Sequence, residues 1–231
     1  MDKIIDLNLE GSGKKLLLIS AGLSSNSRIQ TEDVIKRNWH KIQSKYKAAY
    51  IVCYKAEAKA AQEKACNLRA IYNRFSCILP KWIIYKPETD LNEEIAKQIY
   101  SLLLINREFN TFEIDLLGKC AGAGIMIHLF AMDKNMFGGL FLGVPASPLA
   151  LQHLVDRQVT NKTIICAWNT QDIYEFPWGR SCDEKDRYGK TVSKLSGINF
   201  IELCITTENA DTFFDPTIHH QIPNALFNLI Q

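Results

Sequence analysis

The stretch that most constrains this chain is EIDLLGKCAGAGIMIHLF, residues 113–130. It starts as a short apolar run, turns sharply, and continues with apolar residues at helical spacing. Gly118 and Gly122 stand on either side of Cys120. A strand, a tight turn and a helix, with Gly-x-Cys-x-Gly at the turn, lift one side chain clear of the backbone. The neighbours of the lifted residue must be small, because strand and helix leave no room beside it. Gly118 and Gly122 meet that need at the elbow, and so does Ala121. A thiol there also sits at a helix N-terminus, where free N–H groups and the helix dipole favour the thiolate.

The rest of the chain supplies a frame for this turn. Residues 3–9 and 14–20 read as two strands, and Gly11 and Gly13 between them suggest an N-terminal hairpin. Residues 23–27 read as a polar loop, with a helix from Thr31 to about residue 45. KAAYIVCY, residues 47–54, is a largely apolar strand, and the alanine-rich residues 56–75 form a helix. Residues 77–85 read as extended, with Pro80 arguing against a central strand. A helix starts at Thr89 and runs to about residue 106.

After the elbow come strands at 138–144, 163–168 and 198–206. Shorter helices fall at 148–155, 183–195 and 223–230. Continuous Val/Ile/Leu-rich strands alternating with helices predict a single α/β domain over residues 1–231, with a mostly parallel central sheet flanked by helices. In such a sheet ligands bind beyond the carboxyl ends of the strands.

Composition narrows the function. The chain has 231 residues, 47% hydrophobic and 23% charged, with a formal charge of +2. That is an ordinary globular balance without the basic footprint of a nucleic-acid binder. No apolar run approaches a membrane span. The N-terminal MDKIIDLNLEG lacks the apolar core of a signal peptide. Seven cysteines at wide spacings, with no C-x-x-C, fit reduced thiols in a cytoplasmic protein better than a disulfide framework. Gly11-Ser-Gly-Lys-Lys15 fails as a phosphate loop, because Asn8 and Lys15 stand where a glycine and a Ser/Thr are required. Nor is there a metal-ligand spacing: His219-His220 are adjacent, and His40, His128 and His153 read as packing or surface residues. No cofactor and no metal are therefore expected.

Three chemical candidates follow strands: Cys120, Asp172 in the Asn169-Thr-Gln-Asp172 loop, and the pair His219 and His220. A nucleophilic thiol needs a base to take its proton and a third group to fix the imidazole. The Ala121 N–H is placed to serve as one oxyanion donor. The loop after the second strand would supply the other, with the Leu23 N–H first and Ser24 next.

GKCAGAG after a strand, NTQD after a later strand and a late histidine together resemble the α/β-hydrolase superfamily. In length and in its cysteine, the chain is most similar to the dienelactone hydrolase branch. The resemblance implies cofactor-independent hydrolysis of an ester, thioester or lactone through an acyl-enzyme. Cys120 would be the nucleophile, His219 or His220 the base and Asp172 the acid, acting on a small-molecule or acyl substrate.

The sequence departs from the family in three ways. Lys119 stands where an aromatic or histidine is usual. The approach to the histidines, TFFDPTI, lacks glycines. The nucleophile is a thiol. The alternative reading is a catalytically inactive binding or scaffold protein of the same fold, and acyl transfer is a third.

Overall fold

A computed structural model describes residues 3–21, 25–75, 77–143, 148–169, 193–205 and 224–231. Seven strands form one sheet: β1 (Lys3–Glu10), β2 (Lys15–Ser20), β3 (Tyr46–Cys53), β4 (Glu113–Lys119), β5 (Phe137–Gly143), β6 (Thr163–Asn169) and β7 (Asn199–Ile205). Their order is β1-β3-β2-β4-β5-β6-β7. Every pairing is parallel except β1 with β3. The expected mostly parallel sheet is therefore present. The chain reverses between β1 and β2 as the glycines suggested, and β3 lies between these two antiparallel arms.

The helices are α1 (Ser25–Ile42), α2 (Ala56–Asn73), α3 (Lys81–Ile105), α4 (Ala121–Met132), α5 (Gln152–Asp156) and α6 (Asn224–Ile230), with a 3₁₀ turn at Pro148–Leu151. Strand alternation sorts the core into two layers. Leu16 and Leu18, Tyr50 and Val52, Ile114 and Leu116, and Leu140 and Leu142 share one face with residues of α3 and α4. Leu17 and Ile19, Ala49 and Ile51, Leu117, and Phe141 share the other with α1 and α6. Strands buried on both faces are why these segments read as unbroken apolar runs.

Two stretches fold differently from expectation. Residues 25–27, read as loop, belong to α1, which starts well before Thr31. Val34, Ile35, Trp39 and Ile42 anchor that helix in the core. Its early turns are extended by an i,i+4 pair, Arg28 Nε donating to Glu32 at 2.8 Å.

Residues 81–85, read as extended, are the first turns of α3. Pro80 precedes that helix at φ −59° rather than blocking it, as proline does near a helix start. Pro87 inside the helix withholds one backbone N–H. The buried positions Ile84, Glu88, Asn92, Ile95, Ile99 and Leu103 nonetheless run at helical spacing across it. Packing on both sides of the proline outweighs the lost bond. Most of the expected helix at 183–195 lies outside the described residues.

Among the described residues no helix is long and apolar enough to cross a membrane. Cys53, Cys66, Cys77, Cys120 and Cys166 are free thiols.

Candidate active site

Connections place the Cys120 turn at a special point of the sheet. From β2 the chain passes through α1 to β3 on one side. From β4 it passes through α4 to β5 on the other. The crevice between the carboxyl ends of β2 and β4 is therefore the topological switch point, where open α/β sheets bind ligands. Ser20 and Gly118 are paired across it, and Cys120 follows directly. Its N–H donates to the Gly143 carbonyl at the end of β5, at 3.1 Å.

The backbone at Cys120 has φ 52° and ψ −123°. Side-chain-bearing residues seldom adopt this conformation, and when one does, function is a common reason. Helix α4 begins at the next residue, and the Cys120 carbonyl accepts from the Ala123 N–H at 3.0 Å.

The two elbow glycines are required by contact. A Cβ on Gly118 would lie 2.6 Å from the Ala123 Cα, and one on Gly122 would lie 2.5 Å from Ser20 Oγ and closer still to the Ser20 carbonyl oxygen. Both are below any real carbon contact, so strand β4, helix α4 and the end of β2 can close up only around glycine.

Cys120 is half-buried. Loss of water raises its thiol above the usual cysteine range. The Ala121 N–H, which donates to the sulfur, and the positive charge of Lys119 act the other way. More distantly, Glu88 and Cys66 raise it further. Lys119 is 3% exposed and lies on the α1/α6 face by strand alternation from Leu117. Burial lowers its ammonium, and the nearby Cys120 partly restores it. Lys119 is thus a buried lysine next to the thiol.

Above the turn, α2 and α3 contribute a polar cluster that the sequence reading missed. Arg69 Nη1 donates to Glu88 Oε2 in a buried ion pair. Burial raises the Glu88 carboxyl, and Arg69 opposes that shift. The Gln62 side-chain amide and Asn92 Oδ1 are buried with no hydrogen-bond partner among the described residues. At the end of β2, Ser20 Oγ and the Tyr54 hydroxyl form a hydrogen bond. Glu88 was hidden because its segment was read as the connection before a helix, rather than as the helix itself. The continuous helical burial of α3 was the signal that could have found it.

Of the other expected site residues, Leu23, Asp172, His219 and His220 lie outside the described residues, and so does Ser24. Their flanks are defined. β6 ends at Asn169, three residues before Asp172, and β7 ends at Ile205, with α6 starting at Asn224 just after the histidines.

No protein-family model matches the sequence, and no curated protein does either. Solved structures do match in shape. A dienelactone hydrolase from Anabaena variabilis is 12% identical, with TM-score 0.56, covering 100% of this chain and 93% of its own. YahD, solved with malic acid, is 11% identical, with TM-score 0.53, covering 100% and 96%. Siderophore hydrolase EstB from Aspergillus nidulans is 11% identical, with TM-score 0.50, covering 96% and 82%. Such identities speak to architecture, and with the sheet order and the switch-point turn they agree on one: the chain has the α/β-hydrolase fold.

Proposed function

We propose that the protein is a cofactor-independent hydrolase of a carboxylic ester, thioester or lactone, with Cys120 as nucleophile. The observation that carries this reading is the backbone of Cys120, φ 52° and ψ −123°, at the switch point between Gly118 and Gly122. The hydrolase neighbours support it by analogy of fold.

In this reading the thiolate attacks the substrate carbonyl, and the Ala121 N–H with the Leu23 N–H holds the oxyanion. His219 or His220, oriented by Asp172, has taken the thiol proton and returns it to the leaving group. Water, deprotonated by the same imidazole, then cleaves the acyl-thioester and frees Cys120. The raised thiol gives the base a purpose. Burial keeps Cys120 protonated near neutrality, so the nucleophile forms only when a neighbouring group removes the proton.

The pH profile of labelling by a thiol-directed acylating probe tests this. In the wild-type chain, labelling concentrates on Cys120 and proceeds at neutral pH. Replacing the operative histidine, by His219→Ala or His220→Ala, moves the labelling midpoint above the ordinary thiol range, because burial then outweighs the opposing Ala121 N–H and Lys119. Labelling spread over several cysteines and indifferent to both variants would leave an inert binding or scaffold protein as the better reading.

A further inference from the structure

Three helices bring together a second set of chemical groups, away from the sulfur. Glu93 on α3, His128 on α4 and His153 on α5 each offer a ligand atom, and these atoms all lie within 4.8 Å of one another. The two imidazoles are 4.2 Å apart between centroids and tilted by 58°. His128 is 2% exposed, and its Nε2 is buried with no hydrogen-bond partner among the described residues. A buried ring nitrogen without a partner is costly to keep unless something binds there.

We propose that Glu93, His128 and His153 form a binding site for a late first-row divalent cation of the Zn²⁺ class. The donor set is two imidazoles and one carboxylate, a combination that suits such ions and leaves a fourth position for water. In a tetrahedral site the ligand atoms stand about 3.3 Å apart. Glu93 and His153, both partly exposed, can close the remaining distance by side-chain rotation while His128 stays fixed in the core.

Lys97 Nζ, 3.1 Å from Glu93 Oε1, is the cation the metal would displace or share.

His128 lies eight residues beyond Cys120, about 12 Å along the helix. The ion therefore does not touch the reacting thiol. It joins α3 and α5 to the helix that carries the elbow. The site was illegible in the sequence because each ligand comes from a different helix, with no short spacing among them.

Titration of the reduced full-length protein with Co²⁺ and Zn²⁺ tests the site. One Co²⁺ binds per chain with visible d–d bands and without the near-ultraviolet charge-transfer band of a cobalt–thiolate bond. Zn²⁺ displaces it and raises the thermal midpoint by about 5 °C at a hundredfold excess over Kd. His153→Asn and Glu93→Gln, both at partly exposed positions, keep the fold and weaken binding at least about tenfold. Absence of binding, a thiolate charge-transfer band, or affinity unchanged in His153→Asn would each overturn the proposal. None of these outcomes bears on hydrolysis through Cys120.

Discussion

Cys120→Ala is expected to lower kcat for a p-nitrophenyl ester by about 10³-fold or more, leaving only what binding and the oxyanion donors supply. The same position gives an independent check on the backbone. At φ 52° a β-carbon is strained, so Cys120→Gly should be more stable than Cys120→Ala by about 1 kcal/mol, against the usual preference for alanine over glycine. Urea midpoints of the two variants read this directly. If Ala is the more stable, the turn is not held in the conformation described. If Cys120→Ala keeps its activity while folded, the thiol is not the nucleophile.

Gly122→Ala is expected to cost about 3 kcal/mol of stability, at the upper end of overpacking effects. Most overpacked sites relax by moving the end of a side chain. Here the new methyl would meet the Ser20 carbonyl oxygen, which is backbone of the central strand β2. The four residues before Ser20 are wholly buried, so the strand cannot shift without disturbing both core layers. Helix α4 would have to lift instead, carrying the Ala121 N–H away from the Cys120 sulfur. The urea midpoint should fall with an unchanged m-value, and any residual activity should fall with it. A loss under about 0.5 kcal/mol would mean that strand and helix do not approach as closely as described.

The elbow was legible because its requirements are local. Two glycines around one reactive residue, an apolar strand before and a helix after, leave few geometries open. The parallel sheet was legible for a similar reason: Leu16–Ile19 and Leu140–Leu142 are buried on both faces and so show no alternation. Strand pairing was less visible. Nothing local in residues 3–20 tells β1 to pair with β3, since that choice is made by the crossover through α1.

The helix from Thr89 onward was legible, but the first turns of α3 were hidden behind Pro80 and Pro87, whose local preference was outweighed by the stripe from Ile84 to Leu103. The Arg69–Glu88 pair and the Glu93–His128–His153 cluster were illegible on different grounds. Both depend on which helix faces which, and tertiary packing decides that. Lys119 was noticed as a departure, but only the sheet shows it as a buried lysine beside the thiol.

The central claim is that Cys120 carries an acyl group during turnover. Rapid quenching of the protein with a p-nitrophenyl ester, followed by intact mass and peptide mapping, tests it most directly. A burst of p-nitrophenol, with one acyl group per chain mapped to Cys120 and absent in Cys120→Ala, is the predicted result. Turnover of the ester without an adduct on Cys120, or with the acyl group on Cys53, Cys66 or Cys77, would contradict it.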